Sequence, residues 1–409
     1  MTEISKTSTD LKIINREQVI NAYKKGEILS PVEVSERIHL SRQTVSKAID
    51  YFVGKGLLES CGKGDSTSLG GRKPEQYRLS DKLLFLSINI EKHAIIFTLF
   101  NLLYEKVDTQ TEPFGKNEQP TPNLVWNLLR STAEQYRAKI SLPYRVVGVT
   151  LTMRGLVNHD TGILQYSPFF TWWPRSIPVR RILQDIYPEV HCFSIDKPAQ
   201  LVARSVYMNH EEEFADKRVV VFSQKGIIAG IIDHGKVLNG RNSLIGEFGH
   251  MVIDANSDKQ CVCGNYGCAL QMILPSTLKE LAMKNAGSYP DSTLLSSDYS
   301  MPVIFQYSAG GDPLAAIVSE YLGRIFAAVY KNISVSFDPE ALVLMGEIGK
   351  ADQHFMDSFH RELSKFRYYP EEYDLPILFD ERSEDEVLFT GSVESISRFY
   401  FNDVCAERL

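Results

Sequence analysis

Long uninterrupted apolar runs are missing from this chain of 409 residues. Runs such as Val219–Phe222 and Ala341–Met345 fall far short of the roughly 18–20 residues that a membrane span needs, so no membrane insertion is expected. The opening Met1-Thr2-Glu3-Ile4-Ser5-Lys6 lacks the basic-then-apolar pattern of an export signal, and a cytoplasmic location is expected. Cysteine is scarce: six in this length make no disulfide framework. No short tandem repeat is present. A hydrophobic fraction of 44% beside 23% charged residues excludes disorder as the main state, and the length predicts two or three domains.

An overall excess of positive charge is also missing. The net charge is −7, unevenly spread. Residues 1–82 hold 14 Lys and Arg against 11 Asp and Glu, whereas the remainder holds 30 against 40. A body of that sign repels nucleic acid, so contact with DNA is confined to the front of the chain.

That front carries three short helical patterns. Asn15 to Lys25 sets Val19, Ile20 and Tyr23 on one face. Ser30-Pro31-Val32-Glu33 opens a second helix, reaching about Ile38, with an N-cap serine, a proline at the first position and a glutamate three residues after the cap. Ser41-Arg42-Gln43-Thr44 starts a third, with Val45, Ala48, Ile49 and Phe52 turned inward and Gly56 as its stop. Such a pair of helices joined by a tight turn presents Ser41, Arg42, Gln43, Thr44, Ser46 and Lys47 as a helix-turn-helix presents side chains to the major groove. Arginine and lysine suit guanine, and glutamine suits adenine. A plain three-helix bundle is the competing reading. Leu57–Ser60 and Gln76–Leu79 read as the two strands of a wing around a polar loop, which favours DNA binding. Within that loop, Gly70-Gly71-Arg72-Lys73-Pro74 is either a basic arm, with Arg72 and Lys73 reaching DNA, or a flexible linker.

From about Leu83 strands alternate with helices, the pattern of an α/β body with two lobes. Leu84–Ile90 and Ala94–Phe100 look like a hairpin, Val146–Thr152 and Val219–Phe222 like buried strands, and Asn123–Arg137 and Pro313–Ser334 like helices. The most specific chemical signal follows Glu247-Phe248-Gly249-His250. In Cys261-Val262-Cys263-Gly264-Asn265-Tyr266-Gly267-Cys268, three thiolates in one turn join the imidazole of His250 as a closed tetrahedral Zn2+ site. A closed site has no vacant position for an activated water, so the zinc is expected to be structural.

The winged helix, the Gly-Gly-Arg-Lys-Pro arm, Gly246-Glu247-Phe248-Gly249-His250 and the Cys-x-Cys-Gly-x-x-Gly-Cys knot together resemble the ROK family of repressors, open reading frames and kinases, in its repressor branch. The resemblance spans roughly residues 11–400. It implies an N-terminal winged helix-turn-helix followed by a two-lobed, actin-like sugar-kinase body, with sugars bound in the cleft between lobes. The implied division is 1–82 for the DNA-binding domain with its basic arm and 83–200 for the first lobe, rejoined by a C-terminal helix over 390–409. Residues 201–389 form the second lobe, with the zinc knot and the oligomerisation surface.

The nucleotide-binding turns of the family's kinases are degraded here. Asn89-Ile90-Glu91-Lys92-His93 stands where those kinases carry Asp-x-Gly-Gly-Thr, and bulky Ile228 interrupts the second turn, Gln224–Gly230. Only Met345-Gly346-Glu347 survives of the adenosine-side turn. Phosphates need bare backbone to approach, so no enzyme activity is expected. On the sugar side, Asp196, Glu247 and His250 match the family, but Ile195 replaces its asparagine and Leu270 its last glutamate. Arg154 departs from the usual proline and is either a phosphate or carboxylate partner or a solvated arginine. Trp172-Trp173 is either a sugar-stacking lip or core packing.

The resemblance thus implies a transcriptional regulator, a repressor of sugar-related genes, acting on double-stranded operator DNA as a homodimer or homotetramer. Two readings stand for its control. Either a sugar or sugar phosphate binds at Asp196, Glu247, His250 and Arg154, or a protein regulator acts on a body whose cleft has lost its ligand.

Overall fold

The computed structural model describes residues 7–24, 26–64, 73–115, 119–140, 143–158, 160–223, 227–365 and 375–409. The head begins with helix α1 (Ser8–Tyr23), seven residues earlier than the apolar periodicity predicts. The cause is local: the Asp10 amide donates to the Thr7 hydroxyl at 3.2 Å, and the Thr7 amide donates to Asp10 at 2.9 Å. A polar first half with a good cap forms helix without leaving an apolar signature. Helix α2 (Pro31–Ile38) opens on the expected Ser30–Glu33 capping box, and His39, at φ +54°, ends it in the left-handed region. Helix α3 (Arg42–Gly54) starts at Ser41, whose hydroxyl accepts the Thr44 amide. Val19, Ile20, Tyr23, Val34, Val45, Ile49, Phe52 and Leu57 close the head's core.

Two strands, β1 (Leu58–Lys63) and β2 (Glu75–Leu79), pair antiparallel as the wing, and Leu29 bridges Tyr77 on the outer side. Arg78 and Lys82 both pair with Glu59, at 2.6 and 2.8 Å.

The capping box yields a pH prediction. Hydrogen bonds from the Ser30 hydroxyl and amide hold the Glu33 carboxyl below its ordinary value. A lowered carboxylate stabilises fully above its unfolded-state pKa, and that stabilisation is lost as pH falls through the folded-state value. Amide protection in the first turn of α2 should therefore drop between about pH 6 and about pH 3, and Glu33→Gln should flatten that dependence.

The chain divides into two compact units. Unit 1 holds residues 1–154, 161–196 and 392–409; unit 2 holds 155–160 and 197–391. The division after Asp196 has a structural reason: Cys192–Asp196 is a strand of the first sheet, and Lys197 is the N-cap of the helix Pro198–Asn209, which packs on the second sheet. The sequence had suggested a boundary near 200.

The body sheet of unit 1 contains β3 (Leu83–Ile90), β4 (Ala94–Asn101), β5 (Lys106–Pro113), β6 (Arg145–Met153) and the strand Cys192–Asp196. From one edge the order is Cys192–Asp196, β6, β3, β4, β5. β3–β4 and β4–β5 are antiparallel hairpins, and the two pairings on the other side of β3 are parallel. Unit 2 repeats this plan. Lys236–Val237, Ile228–Asp233 and Arg218–Ser223 pair antiparallel, then Ala341–Met345 and Ile377–Asp380 add in parallel. The two sheets thus share one topology, a duplication with no counterpart as a sequence repeat.

The helix Pro313–Phe337 is long and apolar enough to cross a membrane by composition, although its longest uninterrupted apolar run, Ile325–Tyr330, is short. Leu314, Val318, Leu322, Phe326, Tyr330 and Ile333 along it belong to the core of unit 2. Its apolar positions recur at helical spacing because they face that core.

Within unit 1 the head docks on the C-terminal helix Glu384–Cys405. Arg16, 6% exposed, lies 3.4 Å from the ring centre of Tyr51. It donates to the Cys405 carbonyl at 3.1 Å and pairs with Glu407 at 2.8 Å. The Tyr51 hydroxyl donates to the Val404 carbonyl at 2.6 Å. Arg16→Ala should cost this junction about 1.5–3 kcal/mol, read as faster amide exchange in both α1 and residues 400–409.

Candidate DNA-binding face, metal cluster and ligand residues

Helix α3 buries Val45, Ala48, Ile49 and Phe52 against the head and leaves Arg42, Gln43 and Lys47 exposed, with Thr44 and Ser46 half-buried. These five side chains lie on the outer side of the second helix of a helix-turn-helix, the side that enters the major groove in such motifs. Ser41 stands at the mouth of the helix, but its hydroxyl also meets that of Thr44 at 2.8 Å, so part of its hydrogen-bonding capacity goes to the cap. Lys73 is exposed beside the wing. Arg72 lies outside the described residues.

The metal-site residues converge. One ligand atom from each of His250, Cys261, Cys263 and Cys268 lies within 4.8 Å of all the others. His250 Nδ1 is 3.5 Å from Cys261 Sγ, and the Cys263 and Cys268 sulfurs are 3.6 Å apart. The edges of a tetrahedron with metal–sulfur bonds of 2.3 Å measure about 3.8 Å, so the cluster fits a tetrahedral cation. Glycine makes the turn possible. Gly264 has φ +92°, Gly267 has φ +71°, and a Cβ on Gly267 would stand 1.8 Å from the Asp254 carbonyl oxygen. As thiols the three sulfurs compete for protons. Burial and the neighbouring cysteines push Cys268 up to about 12. Burial also opposes ionisation of Cys261, but hydrogen bonds from the Cys263 backbone and from the Gln271, Cys263 and Cys268 side chains outweigh it and hold that thiol below its ordinary value. Cation uptake by such a cluster releases protons and weakens as pH falls.

The ligand-site residues divide between the units. Asp196, 4% exposed, accepts from the hydroxyls of Ser194 and of Ser395, the latter at 2.7 Å. Glu247 accepts from Lys197 at 3.0 Å. Lys197 is 3% exposed, and no periodic or motif signal marks it in the chain. His250 turns Nδ1 to the cysteine cluster. Arg154 is half-buried, its guanidinium 5.5 Å from the ring centre of Phe169. Ile195 and Leu270, which replace two polar anchors, are buried and half-buried.

Trp173 does not form a lip. It stacks on Phe170 at 4.4 Å and donates its indole N–H to the Pro120 carbonyl at 2.7 Å. Trp172 donates to the same carbonyl at 3.1 Å while keeping a 43% exposed side chain. Trp173 thus serves packing, and the two indoles share one acceptor.

The turn after β3 carries a side chain where a kinase offers bare backbone. Asn89 donates its side-chain amide to Glu91 at 3.0 Å, and the Glu91 amide donates to the Ala94 carbonyl. Gln224, Lys225 and Gly226 of the second turn lie outside the described residues. Gly346 keeps φ +67° in the third.

Over residues 85–391 the chain matches the model of the ROK family. It is 22% identical over 404 residues to the DNA-binding transcriptional dual regulator NagC of Escherichia coli K12, covering 98% of this chain and 96% of that protein. It is 25% identical over 364 residues to the xylose repressor of Bacillus subtilis 168, covering 88% and 89%. Among solved structures it resembles a ROK family transcriptional regulator described as a homologue of the E. coli MLC protein, with a TM-score of 0.77, 21% identity and coverage of 97% and 98%. A ROK family glucokinase from Streptomyces griseus, in complex with glucose and AMPPNP, aligns with a TM-score of 0.57 at 18% identity, over 77% of this chain and 99% of its own. A match over most of the body, together with the cluster of one histidine and three cysteines and the paired mixed sheets, establishes that the chain belongs to the ROK family.

Proposed function

We propose that this protein is a DNA-binding transcriptional regulator, a repressor of sugar-related genes. The observation that carries the reading is α3, which leaves Arg42, Gln43 and Lys47 exposed from a capped helix-turn-helix beside an antiparallel wing. Relatives over nearly the whole length are named as a transcriptional regulator and a xylose repressor, which supports a sugar-linked role. In this reading Arg42, Gln43, Thr44 and Ser46 contact the major groove and Lys47 the phosphates that flank it, with Ser41 at the helix mouth. Arg72 and Lys73 of the wing approach the flanking backbone or minor groove. A single winged helix reads few base pairs, so the working form is a homodimer or homotetramer on a palindromic operator. Exposed Val252, Val262, Tyr266 and Val335 in unit 2 offer apolar surface for such assembly.

The cation at His250, Cys261, Cys263 and Cys268 is zinc in this reading, with a structural role, since four protein ligands leave no position for substrate. Kinase activity is absent, because Glu91 puts a carboxylate in the turn where phosphates would have to approach.

The effector groups are Asp196, Glu247 and Arg154, with His250 committed to the metal. Incubation of the full-length protein with ATP and a panel of sugars tests the non-enzymatic assignment, and no ADP should form; turnover above the protein-free rate would reject it.

A further inference from the structure

The four residues of the cysteine and histidine cluster differ in access. Cys263 is exposed, Cys261 and Cys268 are buried, and His250 is half-buried. Cys263 and Cys268 also face each other, with their sulfurs 3.6 Å apart. An accessible thiol with a second thiol beside it is the arrangement that peroxide converts to a disulfide.

The backbone favours that pair. The Cys261 amide donates to the Asn265 carbonyl at 2.8 Å and the Gly264 amide to the Cys261 carbonyl at 2.8 Å, which folds residues 261–265 into a tight turn. Cys261 and Cys263 are separated by one residue, so a disulfide between them would close a small, strained ring. Cys263 and Cys268 instead close a loop that contains Gly264 and Gly267, both in the left-handed region. Cys268 joins this loop to the interior of unit 2: the next residue, Ala269, donates its amide to the Met251 carbonyl at 2.9 Å and lies with Ile273 in the apolar core.

We propose that Cys263 is an oxidation site: it reacts first with hydrogen peroxide, Cys268 resolves it, and the disulfide that results dismantles the metal site. This rests on the zinc reading above and goes beyond it. The Cys263 thiolate attacks one peroxide oxygen, an S–O bond forms as the O–O bond breaks, and the hydroxide released takes a proton from solvent to become water. The Cys268 thiolate then attacks the Cys263 sulfur. The S–S bond forms, the S–O bond breaks, and a second hydroxide leaves and is protonated to water. Two electrons pass from the sulfurs to the peroxide. His250 and Cys261 remain, too few ligands for a closed tetrahedral site.

The test treats zinc-loaded full-length protein with hydrogen peroxide, in a Cys61→Ser background that removes the exposed thiol of the wing. Zinc release, followed with a colorimetric chelator, should keep pace with the loss of two thiols per chain. Peptide mapping after alkylation should find Cys263 joined to Cys268 and Cys261 alkylated. Cys192 and Cys405 serve as internal standards: burial pushes both thiols up to about 12, and they should stay reduced. Reduction in the presence of zinc should restore the site. Cys263→His offers a nitrogen ligand in place of the accessible sulfur, and it should hold its zinc through the same treatment. Zinc lost without the Cys263–Cys268 disulfide would overturn the proposal, as would a site that stays reduced and loaded. Zinc lost from Cys263→His as fast as from its parent would overturn it equally; if that variant takes up no metal, the thiol map of the parent decides. Metal analysis before treatment separates the two readings: protein purified without zinc would reject the metal assignment, and the thiol map would still judge the pair.

Discussion

Cys268→Ser should abolish stoichiometric zinc in the purified protein and lower the unfolding midpoint of unit 2 by about 6–12 °C, the shift that roughly 3 kcal/mol produces in a domain of this size. Cys268 is fully buried, and its sulfur faces Cys263 within the four-ligand cluster. Serine keeps the volume nearly constant, so the loss reports the metal and not a cavity. The effect stays below the roughly 10–16 kcal/mol of metal-dependent peptides, because unit 2 has an apolar core of its own around Phe222, Phe326 and Phe355. Chelation of the wild type should reproduce the shift, and acid should ease chelation, since protons and cation compete for the same sulfurs. Cys61→Ser, at an exposed position on the wing, should change neither zinc nor stability. Full metal content in Cys268→Ser would remove the assigned knot.

On DNA, Gln43→Ala should lose about 1–3 kcal/mol at one base position, roughly a 5- to 150-fold drop on the best operator and little change on an operator already altered there. Gln43 is exposed on the first turn of α3, where its amide can serve as both donor and acceptor to a base edge. Lys47→Ala, one turn later, should instead weaken all sequences alike and reduce the salt slope by about one, as expected of a phosphate contact. Titrations of full-length protein at several salt concentrations against the operator and its point variants separate the two behaviours. Equal loss on every sequence in Gln43→Ala would assign that residue to the backbone.

Much of this was legible in the chain before any coordinates. Ser30, Pro31 and Glu33 announce α2 because capping is a matter of neighbouring residues, and the Cys261–Cys268 spacing announces the knot because three thiols in one turn have few other uses. The first half of α1 was not legible, since Thr7 and Asp10 stabilise it through backbone groups that leave no apolar period. The duplicated sheet was invisible for a related reason: strands preserve an alternation of buried positions, not residue identities, so Ile88 and Val221 can fill matching roles without resembling each other. Trp172 and Trp173 are ambiguous in the sequence because an indole packs and stacks equally well, and only burial against Phe170 assigns Trp173 to packing. Lys197 was passed over because the carbonyls it donates to, those of Ser243 and Ile245, lie 46 and 48 residues away, a coincidence in space that no local pattern carries.

The central claim is that α3 reads DNA. Affinity selection of the full-length protein on random duplex DNA, at near-physiological salt and with excess non-specific competitor, tests it directly. A two-fold symmetric site should be enriched, its half-sites about one helical turn apart, at a spacing of roughly 10 base pairs or a multiple of it. Gln43→Ala should select the same site relaxed at one position in each half. A wild-type pool that stays random after repeated rounds, with all binding lost as salt rises, would contradict the claim.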